Sequence, residues 1–147
     1  MHRIQKWIFI PALLTVFTGI ASAYDMSEES LTLMLLEERT AILQQAYYGE
    51  TEVSEAEEEL AKIETHPLLG QDISRLRETL PTDMDRVFSM ELLSLERQSR
   101  IHGFLTYHAE IRWKLLGAQG SYFEEHSYLV VLKSDGRNYR LSEFQAL

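Results

Sequence analysis

Phe104-Leu105-Thr106-Tyr107-His108-Ala109-Glu110-Ile111-Arg112-Trp113 is the stretch on which the fold turns. Leu105, Tyr107, Ala109, Ile111 and Trp113 alternate with Thr106, His108, Glu110, Arg112 and Lys114, the period of two that marks a half-buried β-strand. Working outward, Gly117-Ala118-Gln119-Gly120 makes a turn and a second strand runs from about Tyr122 to Lys133. Asp135-Gly136 is a strong hairpin signal, and a third strand follows from Arg137 to about Phe144.

The register of this sheet follows from its turns. A two-residue turn at Asp135-Gly136 puts Leu132 opposite Tyr139 and Val130 opposite Leu141. A four-residue loop over 117–120 puts Tyr107 opposite Val130, Ala109 opposite Tyr128 and Ile111 opposite His126. Both hairpins thus place Tyr128, Val130 and Leu132 on the face of Tyr107 and Ile111, and a slip of one residue would turn that set outward. On the reverse side Arg112 falls opposite Glu125. Strand two is apolar on both faces, since Leu129 and Val131 alternate with Val130 and Leu132. Something is therefore expected to cover part of the reverse face: the C-terminal Phe144, a helix or a partner subunit.

In outline the run Tyr128-x-Val130-x-Leu132, Asp135-Gly136 and Tyr139-x-Leu141 is similar to the C-terminal sheet of cone-shaped NTF2-like domains. The resemblance covers the last third of the chain and implies a curved sheet with helices on one face. It carries no catalytic residues.

Upstream, the period changes to three and four. Leu31, Met34, Leu35, Ile42, Leu43 and Ala46 form one apolar stripe, started by Asp25 with Glu28 or by Ser27 with Ser30 and stopped at Gly49. Ser54 with Glu57 is a capping-box signature for a second helix with Ala56, Leu60 and Ile63 inside. Residues 66–70 read as a connector, because proline disfavours helix in the residue before it. A short helix is expected from Asp72 to Leu80. A longer one, capped by Thr82 with Asp85, is expected to carry Val87, Phe88, Leu92 and Leu95 as its stripe.

The chain has 14 basic and 23 acidic residues, a net charge of -9, placed unevenly. Residues 24–64 hold 12 acidic side chains against Arg39 and Lys62, a net of -10, whereas 65–147 hold 11 acidic and 10 basic, a net of -1. Such a balance argues against nucleic acid as a partner and leaves attraction to an anionic membrane surface equally unsupported. The glutamates at 52, 55, 58 and 59 lack an Asp-x-Asp-x-Asp-Gly loop and read as a solvated helix face rather than a calcium site.

Residues 1–23 combine Arg3 and Lys6, an uncharged run beginning at Trp7, and Ala21-Ser22-Ala23. This is the layout of a secretory signal peptide, and the Ala-x-Ala ending favours removal after Ala23. The alternative keeps the segment as a membrane anchor, with Arg3 and Lys6 on the cytosolic side. Either way the body is expected to be exported. With no cysteine, it has no disulfides and depends on its core alone.

The expected fold class is α+β: an N-terminal signal or anchor helix, about four helices, then a three-stranded antiparallel meander. Residues 1–23 are the signal peptide or anchor and 24–147 a single domain, divided into an acidic helical hairpin (24–65), helices (71–100) and the β-meander (104–145).

No nucleophile elbow, His-Glu-x-x-His, phosphate-cradling loop or dinucleotide fingerprint occurs, so neither catalytic residues nor a cofactor is expected. His102 and His108 share one sheet face and His126 the other, which opposes a metal site. One constellation remains: Trp113, Glu124, His126 and Tyr128 on the core face, able to orient a small ligand, with His126 the only proton carrier suited to neutral pH. The leading reading is a non-enzymatic, exported interaction or accessory domain of a cell envelope. It would meet a protein partner or a second copy through Leu129, Val131 and Phe144, and membrane only through 1–23 if that segment is uncleaved. The competing reading is a small-molecule binder or minor enzyme using the pocket.

Overall fold

The computed structural model describes residues 26–78 and 85–147, so the leader expected over 1–23 and the helix cap expected at Thr82 lie outside the described residues. Among these residues three helices, α1 (Glu28–Tyr47), α2 (Val53–Ile63) and α3 (Leu68–Glu78), precede four strands, β1 (Arg86–Ile101), β2 (Phe104–Gly117), β3 (Gly120–Ser134) and β4 (Tyr139–Ala146). The strands form one antiparallel sheet in the order β1-β2-β3-β4. Among the described residues no helix is long and apolar enough to cross a membrane.

This corrects the expected fold class of about four helices and a three-stranded meander. Residues 86–101, read as the last helix, are instead the first strand. The reason lies in three bulges on β1, between Val87 and Ser89, Leu92 and Ser94, and Arg97 and Ser99. The residues that β2 holds on the inner face are Val87, Met90, Leu92, Leu95, Arg97 and Arg100. Each bulge inserts one residue, so inward positions recur at three, two, three, two and three, between the strand and helix periods. A bulged strand thereby imitates a helical stripe. It is joined to β2 by His102-Gly103, both at positive φ (48° and 80°), the geometry of a tight two-residue hairpin turn.

β2 and β3 pair in the register that the 117–120 turn requires, with Tyr107 opposite Val130, Ala109 opposite Tyr128 and Ile111 opposite His126. The last hairpin differs. Asp135 Oδ1 accepts from the backbone N–H of Arg137 (3.0 Å) and Asn138 (2.8 Å), so the turn spans four residues and Ser134 pairs with Tyr139. Leu132 therefore faces Leu141, two residues beyond the expected partner and on the same face. A further irregularity at Val131/Leu132 then brings Phe144 opposite Val130, on the core side, rather than over the reverse face.

Among the helices, Ser27 caps α1 through Ser30 N–H (3.1 Å), and Gly49, at φ 70°, follows its end. α2 begins after Glu52 with no side-chain cap, so Ser54 is inside it and not at its start. α3 begins at Leu68, directly after Pro67, and the expected connector 66–70 is largely its first turn. Pro67 stands one residue before the helix, so its missing N–H costs no helical bond.

The helices cover one face of the sheet. Leu31, Leu35 and Leu36 of α1, with Ile63 and Leu68, pack on Leu105, Tyr107, Ala109, Ile111, Val130, Leu132 and Leu141. A smaller cluster, Ala46, Ala56, Leu60 and Leu76, joins the helices to one another. The link between α2 and α3 is tied to β4 by Thr65 N–H to Leu141 O (2.8 Å) and Ser142 Oγ to His66 O (3.1 Å).

Candidate functional site: a cleft between α1 and the sheet

The C-terminal half of α1 presents Arg39, Leu43 and Tyr47 at four-residue spacing, with Thr40 and Gln44 beside them. These point the same way because residues four apart on a helix lie one above the other. Across from them stand Val87 of β1, Trp113 and Leu115 of β2, and Glu124, His126 and Tyr128 of β3, at the two-residue spacing of a single sheet face. The two rows do not close on each other. They leave an open cleft of about 350 Å³ lined by both.

Aromatic side chains order its floor. Trp113 Nε1–H donates to Tyr128 Oη (2.9 Å), with the rings edge to face at 6.1 Å. Tyr128 stacks on Phe144 at 4.5 Å and 15°, and the Arg39 guanidinium lies 5.1 Å from the Phe144 ring centre, a cation–π distance. Burial raises the Tyr128 phenol above its ordinary value, and the bond from Trp113 partly opposes that shift. At the mouth, His126 Nε2 is 3.1 Å from Glu124 Oε2, both about half exposed. Gln44 fixes the β1 wall: its Nε2–H donates to Val87 O (3.2 Å) and its Oε1 accepts from Val87 N–H (2.6 Å). A side-chain amide thus supplies the ladder pair that an edge strand lacks at that point.

Behind the cleft lies a buried charge cluster. Arg39 donates from Nε to Asp72 Oδ2 (2.7 Å) and from Nη2 to Asp72 Oδ1 (2.9 Å), with Asp72 1% exposed. Glu64 is fully buried, and its Oε1 is 3.1 Å from the same Nε. That nitrogen has one hydrogen, already given to Asp72, so both Glu64 oxygens are left without a hydrogen bond. Burial, then the charge of Asp72, push the Glu64 carboxyl up from 4.5 to about 8, against the pull of Arg39. The shift favours the neutral acid form of Glu64 beside a closed Arg39–Asp72 pair.

The structure brings Trp113, Glu124, His126 and Tyr128 together along the cleft. It does not bring together Leu129, Val131 and Phe144. Leu129 and Val131 are on the reverse face, opposite His108 and Thr106, where Val131 is 7% exposed, whereas Phe144 is inside on Tyr128. The α1 wall and the Arg39 cluster were not anticipated. Their signal was present: Leu31, Leu35, Arg39 and Leu43 recur every fourth residue, so Arg39 is the one charge on a buried stripe. Among the described residues no three metal-ligating side chains converge.

No family model matches the chain, and no curated protein matches it. Solved structures do. The chain is similar to the intermembrane-space region of the chloroplast protein ARC6, at TM-score 0.50 and 13% identity, over 83% of this chain and 97% of that one. It also aligns with a de novo designed β-sheet protein at TM-score 0.38 and 16% identity, over 78% and 86% of the two chains. At 13% identity the first likeness shows a shared fold.

Proposed function

We propose that this protein is an exported, non-enzymatic accessory domain of a cell envelope that acts by binding, and that the cleft between α1 and the sheet is where it binds. The open cleft carries the reading. Its walls are Leu43, Tyr47, Trp113, Leu115 and Tyr128, with a few fixed polar groups, the composition by which concave sites hold ligands. The 1–23 sequence supports export, and the likeness to an intermembrane-space region of an envelope protein is consistent with that setting. His126 has Glu124 as its partner but no nucleophile within reach among its hydrogen bonds, so the pair reads as polar edging of a binding surface.

A photoreactive residue placed at Leu43 or Leu115 in cells should give a discrete adduct, and N-terminal sequencing of the envelope fraction should find the body there. Adducts from the reverse face alone would sink the cleft reading. A second reading has one observation behind it. On the reverse face Lys114 Nζ is 4.9 Å from the exposed Phe88 ring and 5.8 Å from Phe123, an apolar patch with a central cation. Partner contact there, rather than at Leu129 and Val131, would give adducts from Phe88 and none from Leu43.

A further inference from the structure

Whole-chain charge hides a local reversal at one end of the sheet. There the β1–β2 and β3–β4 turns lie side by side, joined by Ser134 N–H to Gly103 O (2.8 Å). Residues 97–104 carry Arg97 and Arg100, and residues 133–140 carry Lys133, Arg137 and Arg140 against Asp135, a net of +4. The remainder of the chain therefore carries -13, since the whole is -9. Two of these cations are paired with carboxylates, Arg97 with Glu28 at 2.9 Å and Arg140 with Asp135 at 3.7 Å, and Arg100 Nη2 donates to Tyr139 Oη at 3.5 Å. Among the described residues no carboxylate is within ion-pair distance of Arg100, Lys133 or Arg137.

The same end is apolar. Ile101, Phe104, Lys133 and Arg140 pair in succession across all four strands, a single row. Ile101 is 58% exposed, Phe104 37%, and Lys133 Nζ sits 5.5 Å from the Phe104 ring. Apolar tips flanked by cations suit a lipid interface, where rings and aliphatic chains enter the headgroup layer and cations meet phosphate. Glu28 bonds Arg97 and Tyr107, whereas Gln44 bonds Val87, so α1 runs antiparallel to β1 and its N-terminus heads toward this end. Arg97 precedes Ile101 by four residues, about 13 Å of strand. The described chain thus begins beside the basic tip, and the 25 residues before Met26 include the uncharged run that starts at Trp7.

We infer that this end of the sheet, through Ile101, Phe104, Arg100, Lys133 and Arg137, docks on an anionic membrane surface. This rests on the envelope reading for its biological setting, not on the cleft being occupied. Flotation of the full chain with phosphatidylcholine vesicles, with and without phosphatidylglycerol, tests it directly. Binding should be tighter to the anionic vesicles and should lose that preference as salt is raised. Each of Arg100→Gln, Lys133→Gln and Arg137→Gln should weaken the anionic preference about fivefold. Lys62→Gln and Arg75→Gln remove the same charge elsewhere and should change it little. Equal loss in both sets, or equal binding to both vesicles, overturns the proposal.

Because the chain has no cysteine, Ile101→Cys and Phe88→Cys each create a single labelling site, at opposite ends of β1. An environment-sensitive thiol dye should shift to the blue on anionic vesicles at position 101 and not at 88. A shift at 88 alone, or a response at 101 to soluble polyglutamate but not to vesicles, means that the tip does not meet membrane. Failure here leaves cleft crosslinking intact, and a cleft without adducts leaves vesicle binding intact, so the two readings fall separately.

Discussion

The inner face of the sheet has a filled half and an open half. Leu105, Tyr107, Ala109, Ile111, Val130 and Leu132 are 0–2% exposed, sealed by α1 together with the α2–α3 link that is tied to β4. A few residues along the same strands, Trp113 and Leu115 are only half buried, and Glu124 and His126 are exposed. The strands continue past the helices that cover them, and only the C-terminal half of α1 leans over the remainder. Stability should therefore reside in one half and binding in the other.

The hinge between the halves is Arg39, which faces the buried carboxylates on one side and Phe144 on the other. Arg39→Met should be the most damaging single change, at about 3–5 kcal/mol in urea unfolding, because it leaves buried Asp72 with only the solvent-exposed Arg75, 3.9 Å away, as a cation. A loss below about 1 kcal/mol would mean that Asp72 finds water or a proton instead. Next comes a direct contrast along one strand. Ile111→Ala, at 0% exposure, should cost about 2–5 kcal/mol, and Leu115→Ala, on the cleft wall, about 1 kcal/mol. Equal losses would mean that the cleft is closed in solution.

Glu64 sharpens the contrast through pH. Its carboxyl holds a proton to about 8 in the folded protein, against an ordinary value of 4.5. The folded state thus binds more protons than the unfolded chain across that interval. Stability should fall as pH rises from about 4.5 to about 8 and level off above it. Glu64→Gln should remove much of that slope, leaving stability little changed at acid pH and raised by about 1–3 kcal/mol on the alkaline side. Parallel pH profiles for the two proteins would show that Glu64 is ionised and paired at neutral pH.

The halves also differed in how far the sequence reveals them. The β2–β3 ladder was legible because its alternation is unbroken from Leu105 to Trp113 and its turn is short, so one register satisfies every apolar residue. β1 was not, because three bulges give its inward residues spacings that average between strand and helix. His102-Gly103 is also a weaker turn signal than Asn-Gly or Asp-Gly. At Asp135-Gly136 the hairpin was visible but its length was not, since the Asp135 side chain draws two further residues into the turn. For the cleft, strand parity sufficed to group Trp113, Glu124, His126 and Tyr128. The opposing wall depends on how α1 crosses the sheet, a tertiary fact set by packing at Leu31, Leu35 and Leu36 rather than by any local pattern. No local pattern sets Glu64 or Asp72 apart from the other acidic side chains, and only the fold brings both to Arg39.

The smallest expected effect tests whether the open half is ordered before anything binds. Trp113→Phe removes the bond to Tyr128 Oη while keeping an aromatic ring against the floor, at a cost of about 0.5–1.5 kcal/mol. A donor to the phenol oxygen stabilises phenolate more than phenol, so losing it should raise the Tyr128 pKa further above its already elevated position. Ultraviolet titration of the tyrosinate band, compared with Tyr128→Phe to isolate that ring, reads the shift. An unmoved titration would mean that Trp113 and Tyr128 are not bonded in the free protein. The cleft floor would then form on ligand binding, whereas a raised value shows aromatic order already in place on the half of the sheet that the helices leave uncovered.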